Sequence, residues 1–192
     1  IYIHFLFFGL LIHSFAQSGT GAFSFGEYSP TARLTALGQY GTALIDQDPG
    51  FALSNPAALS DSLSFTASFQ HGFLKPGIQF GHFFLADRIE QKDIQWIAGF
   101  SYSDHGEIQR ADPFGNRLGT FEASSLSIYA GVGKRLYKNL YAGLRFEYLQ
   151  GTLESYFSNG ISSHWGLLYV IPEKRLNIGL SWNHVGFQWS PY

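Results

Sequence analysis

The chain has no cysteine and no methionine in 192 residues. Without cysteine there is no disulfide framework, no thiolate metal site and no cysteine nucleophile. Charge is also scarce. Asp, Glu, Lys and Arg make up 14% of the residues, against roughly 25% in an average soluble domain. The formal net charge of −2 gives no basic footprint for nucleic acid. No apolar run is long and well flanked enough for a membrane-crossing helix. There is no Gly-x-Ser-x-Gly elbow and no phosphate-cradling loop. Gly131-Val132-Gly133-Lys134 falls inside a strand-like run and lacks the other glycines. The seven histidines share no metal-ligand spacing. Asp104-His105 beside Ser101 and Ser103 supplies the residue types of a catalytic triad. Neighbours on an extended chain point apart, however, which argues against that use. Asp46 and Asp48 near Glu27 suggest Ca²⁺, but an acidic turn is the simpler reading. The expectation is therefore a non-enzymatic protein with no catalytic residue, no metal site and no cofactor.

Aromatic residues reach 18%, with 19 Phe, 11 Tyr and 4 Trp, and there are 22 Gly. High aromatic and glycine content with little charge suits many strands facing something apolar. Three segments follow from the patterning. Residues 1–16, "IYIHFLFFGLLIHSFA", end on Ser14-Phe15-Ala16, which has the small-x-small form of a secretory cleavage site. They read as a signal peptide, with a buried N-terminal strand or helix as the alternative. Residues 17–61 open Gly/Ser-rich and contain the best helical candidate, Thr31–Leu44, where Leu34, Leu37 and Tyr40 recur at helical spacing. Gly38 and Gly41 weaken it. Asp46–Gly50 and Asn55-Pro56 are turn signals.

From Ser62 the period changes to two and persists over residues 62–192. In the first run, Leu63, Phe65, Ala67 and Phe69 share one face. The second, Ile78–Asp87, places Ile78, Phe80, His82, Phe84 and Ala86 together. The third is Ile94–Asp104, with Trp96, Ala98 and Phe100 opposite Gln95, Gly99 and Ser101. The fourth is Ser125–Tyr137, with Leu126, Ile128, Ala130 and Val132 on its apolar face. The fifth is Asn139–Glu154, whose polar face carries Arg145 and Glu147. The sixth and seventh are Ile161–Ile171 and Arg175–Phe187. These runs are long. A membrane-crossing strand needs about 9–11 residues, whereas ordinary strands average about 5–6. Tight turns at Tyr137-Lys138-Asn139 and Pro172–Lys174 alternate with longer connections at His105–Ser124 and Ser155–Gly160. That asymmetry is the pattern of an outer-membrane barrel. A soluble exported sandwich would also alternate. A barrel in lipid must close, and bacterial single-chain barrels use an even number of strands, eight or more, so further strands are expected beyond Tyr192.

Three blocks carry a resemblance. "ARLTALGQYGTALIDQDPGFALSNPAAL" (Ala32–Leu59) resembles the N-terminal signature of the PorV, PorQ and long-chain fatty-acid-transporter-like outer-membrane barrels. "ADPFGNRLGTFEASSLSI" (Ala111–Ile128) and "NIGLSWNHVGFQWSPY" (Asn177–Tyr192) resemble the PorQ family of the type IX secretion system. The resemblance implies an all-β antiparallel transmembrane barrel of about fourteen strands, in the outer membrane of a Gram-negative, Bacteroidota-like bacterium. It implies a small helical plug over residues 17–61, with Asn55 and Pro56 turning from plug to wall. It implies a role in the attachment complex: holding a PorZ-like surface protein near PorU and PorV, with lipopolysaccharide close by. With the N-terminus periplasmic, His105–Ser124 lies outside the cell. Asp112, Phe114, Asn116, Arg117 and Phe121 are then candidates for the docking surface. The alternative is that Pro113 and Gly115 only make a turn while Phe114 packs into the barrel mouth. A transport barrel for hydrophobic small molecules such as fatty acids is the alternative function.

Overall fold

The computed structural model describes residues 31–38, 40–59, 63–75 and 77–190. The expected signal peptide, the first part of the expected plug, Glu27, Ser62 and Tyr192 lie outside them. The described residues are all-β: one seven-stranded antiparallel sheet in which each strand pairs with the next in sequence. The strands are β1 (Thr66–Lys75), β2 (Ile78–Ile89), β3 (Ile94–Ala111), β4 (Arg117–Tyr137), β5 (Leu140–Leu153), β6 (Tyr156–Ile171) and β7 (Leu176–Ser190). No described helix is long and apolar enough to cross a membrane.

Segment 31–59 lies against one face of the sheet, called here the covered face. A single helical turn, α1 (Ala32–Ala36), starts it, with Thr31 Oγ1 accepting the Leu34 N–H at 3.1 Å. The helix expected over Thr31–Leu44 stops there. Gly38 takes φ +83°, a left-handed conformation that ends a helix cheaply. Of the three residues at helical spacing only Leu34 is buried; Tyr40 is 84% exposed. Leu34 packs with Phe51 and Ala58. A second cluster joins Ala52 and Leu59 of the segment to Leu63, Phe84, Ala86, Ile97 and Tyr129.

Two face assignments change. Leu63 does not share a face with Phe65 and Phe69, because β1 begins only at Thr66 and Leu63 turns inward to the cluster. On β2 the residues Phe80, His82, Phe84 and Ala86 share one face, but it is the covered one. Ser68 faces Phe84 and Gln70 faces His82 across the register. Phe83 and Leu85 therefore supply the other, open face. β2 is apolar on both sides because segment 31–59 covers its inner one.

The connections change too. His105–Ser124 and Ser155–Gly160 are not long loops. β3 has 18 residues and β4 has 21, and together they form one hairpin that turns over Asp112–Asn116. β5 and β6 meet over Glu154-Ser155, with Glu154 at φ +56°. The asymmetry between the two ends lies in strand length rather than loop length.

β7 contains a bulge. Its register to β6 shifts between Ser163 and Trp165, and His184 takes φ +60°. One extra residue reverses the alternation. Trp182 faces Trp165 below the bulge, and Phe187 faces Ile161 above it. Both lie on the open face although they are five positions apart.

Candidate functional site

The covered face carries a polar patch that meets segment 31–59. Arg145 and Glu147 stand two apart on β5 and so point the same way. Register places Arg145 opposite His164 and Glu147 opposite Ser162. Arg145 Nη1 donates to Glu147 Oε2 at 3.0 Å, and His164 Nε2 donates to the same oxygen at 2.9 Å. All three side chains are buried. The Arg145 guanidinium also sits over the Tyr129 ring, 5.3 Å from its centroid. Burying charge is tolerable only when it is paired and hydrogen-bonded, and this group meets both conditions.

The patch reaches the covering segment through main-chain carbonyls. Arg145 Nη2 donates to Leu53 O at 3.3 Å, and Asn183 Nδ2 donates to Ser54 O at 3.2 Å. Asn55 is fully buried. Its Oδ1 accepts the Ala57 N–H at 3.0 Å and caps a short 3-10 turn, Pro56–Ala58. Its Nδ2 donates to Thr42 O at 2.6 Å and Leu167 O at 3.3 Å. Asn55 thus fastens the segment to β6.

Glycine makes that approach possible. Gly133, Gly143 and Gly166 are register neighbours across β4, β5 and β6. A Cβ at Gly143 would lie 2.5 Å from Ala57 N and closer still to the Pro56 carbonyl. At Gly166 it would lie 2.9 Å from Ala57 N. The three bare positions form a shallow seat for Asn55-Pro56-Ala57.

Farther along the face, Ser101 and Ser127 hydroxyls meet at 2.6 Å. His82 Nε2 and the Tyr129 hydroxyl are buried without a hydrogen-bond partner among the described residues. The alternation places Arg145 and Glu147 together on the polar face of their strand, but not as a pair. It does not bring His164 to them, because its place opposite Arg145 depends on register.

The second region is the β3–β4 turn. Asp112 Oδ1 accepts the N–H groups of Phe114 (2.9 Å) and Asn116 (2.8 Å), and Oδ2 accepts Asn116 Nδ2 at 2.8 Å. These bonds, led by the Asn116 side chain, hold the Asp112 carboxyl below its usual pKa range. Phe114 does not pack down onto the protein; it is 91% exposed at the tip. Arg117 begins β4. Phe121 lies lower on the hairpin, with the Arg110 guanidinium 5.8 Å from its ring centroid. Arg110 also pairs with Glu154, and the Glu154 N–H donates to Glu122 O at 2.9 Å. The neighbouring turn thereby braces the hairpin.

The other proposed chemical groupings are separate. Ser103 Oγ lies 3.3 Å from His105 Nε2, while the Asp104 carboxylate accepts the Gly106 N–H. Asp46 pairs with Arg33, and Asp48 caps Gly50. No cluster of three or more His, Asp or Glu that could hold a metal occurs among the described residues. Comparison with protein-family models, curated proteins and solved structures returns no match for this chain.

Proposed function

We propose that the seven-stranded sheet is part of an outer-membrane β-barrel whose open face meets lipid, and that the protein anchors a surface partner in type IX secretion. The observation that carries the membrane reading is a charge-free belt. On β4 the open face carries Val132, Ala130, Ile128 and Leu126, bounded below by the charged Lys134 and above by Ser124, ten residues away. Ten residue steps span about 33 Å along a strand, or roughly 25 Å of height at a tilt near 40°. That matches the apolar band of a transmembrane barrel.

The belt continues across the sheet. The open face of β3 carries Trp96, Ala98, Phe100 and Tyr102 below Asp104. That of β5 carries Leu140, Ala142, Leu144, Phe146 and Tyr148 below Gln150. On β7 it carries Leu180, Trp182, Val185, Phe187 and Trp189. None is charged. Trp182 is 71% exposed and Leu180 is 67% exposed. Soluble monomers rarely expose a contiguous apolar area of more than a few hundred Å². The belt also slips along the register as a tilted wall requires. Its lower limit is Asp87 on β2, level with Val132, and then Lys134, one open-face position lower on β4.

The secretion role rests on the sequence resemblance, with support from the braced hairpin. A rigid turn that holds Phe114 outward is suited to insertion into a partner's pocket, since binding then orders little. Segment 31–59, fastened to the covered face, is suited to a plug. Deleting Asp112–Gly119 and testing co-purification of the large surface partner checks the role. The expected result is loss of the partner with the sheet intact; a retained partner refutes the hairpin as anchor.

A further inference from the structure

The open face is not evenly ridged. Ala98 on β3 faces Ala130 on β4, and Ala130 faces Phe146 on β5. In the row above, Ile128 faces Tyr148, and Tyr148 faces Ile161. Two alanines beside four larger side chains leave a depression of about 560 Å³. That volume lies in the range of small-ligand sites, roughly 300–1,000 Å³. Its upper wall is fixed: the Tyr148 hydroxyl donates to Asn159 Oδ1 at 2.8 Å, and the Tyr148 ring lies 6.1 Å from that of Trp189.

We propose that this depression is a binding site for one acyl chain of a membrane phospholipid. The proposal rests on the membrane reading above and goes beyond it, from a solvent of lipid to a seat for one. Three observations choose this occupant. The depression lies inside the charge-free belt and is continuous with it, so hydrocarbon is what reaches it. The lining side chains on the open face, Ala98, Ala130, Ile128, Phe146 and Ile161, offer no hydrogen-bonding group. The hydroxyl that the open face does contribute, on Tyr148, already donates to Asn159, and the side chains of Tyr129, Glu147 and Ser162 are buried on the covered face. A polar ligand would lose its hydrogen bonds to solvent there and gain none, whereas a polymethylene chain loses nothing. Uncharged polar groups stand one row higher, where Leu126 faces Gln150 and Gln150 faces Asn159. A lipid ester or headgroup can be solvated at that level while the tail lies below.

The test uses the full chain folded into phosphatidylethanolamine/phosphatidylglycerol vesicles with a trace of phospholipid carrying a mid-chain diazirine. After photolysis, adducts are mapped by mass spectrometry. The expected result is labelling at Ala98, Ala130 and Phe146 several-fold above Leu144, Val132 and Leu180 elsewhere in the belt. Ala130→Trp fills the depression and should bring labelling at Ala98 and Phe146 down to the belt average. Ala98→Leu provides a second filled variant, and Ala142→Trp, on the same face outside the depression, should leave the contrast unchanged. Even labelling over the whole open face, indifferent to Ala130→Trp and Ala98→Leu, means annular lipid only and overturns the site while leaving the membrane reading intact. Absence of labelling on the open face overturns both.

Discussion

Substituting Gly143 by alanine should unseat segment 31–59 from the sheet. The added Cβ would point at the Pro56 carbonyl and lie 2.5 Å from Ala57 N, so it meets backbone rather than a side chain that can swing away. The 3-10 turn must lift by about an ångström, and the Asn55 bonds to Thr42 O and Leu167 O are the first to lengthen. Overpacking costs typically about 1–3 kcal/mol. Each net hydrogen bond lost adds about 1 kcal/mol. A destabilisation of roughly 2–4 kcal/mol follows from those two costs together. Equilibrium urea unfolding in detergent micelles measures it, and limited proteolysis between Gly41 and Leu59 reports the release of the segment directly. Ala142→Ser, one position away on the open face, is the control and should change stability by less than about 0.5 kcal/mol. If Gly143→Ala matches the control in both assays, the seat is not where the covering segment is held.

Two further predictions concern charge. Glu147→Gln leaves Arg145 and His164 buried against a neutral amide, and breaking a buried pair from one side costs roughly 3–5 kcal/mol. Urea unfolding should show that loss, and Arg145→Met added to it should recover part. An additive double mutant would show that the two side chains do not act as a unit. At the hairpin tip, the Asp112 carboxyl has its pKa depressed by the Asn116 side chain first and by N–H groups of the turn. A depressed folded pKa means that the turn's order is fully present above the ordinary aspartate range and is lost as pH falls through the folded value. Amide exchange at Phe114 and Asn116, corrected for intrinsic rates, should quicken at low pH and stay fast at all pH values in Asp112→Ala. Unchanged protection in Asp112→Ala would remove the carboxylate from the turn's support.

The strand count and most facings were legible because a period of two over ten residues has few other readings. Leu126–Val132 and Leu140–Tyr148 fall on the face their alternation indicates. What alternation cannot carry is phase across an irregularity. Val185, Phe187 and Trp189 continue the odd-numbered pattern and would oppose Trp182, had the bulge at His184 not turned them to its side. Nor does alternation say which face of a doubly apolar strand looks outward. On β2, Phe84 and Ala86 are apolar because Ala52 and Leu59 cover them. The hairpin beyond Asp104 read as loop because Gly106, Pro113, Gly115 and Gly119 are turn residues. Register continues past the irregularity at Gly106, pairing Glu107 with Glu122 and Ile108 with Phe121. The expected helix over Thr31–Leu44 failed for the reason its own sequence held, Gly38. The patch of Arg145, Glu147 and His164 brings together residues nineteen apart, and only strand pairing does that.

The central claim is that the open face meets hydrocarbon, and the four tryptophans test it most directly. Trp96, Trp165, Trp182 and Trp189 all stand on that face, placed there by pairing with Val132, with each other and beside Phe187. In vesicles of brominated phospholipid, collisional quenching of intrinsic fluorescence should be strong, and aqueous acrylamide should quench weakly. A folded chain, monomeric in buffer without amphiphile, whose tryptophans are quenched by acrylamide and ignore bromolipid would contradict the account.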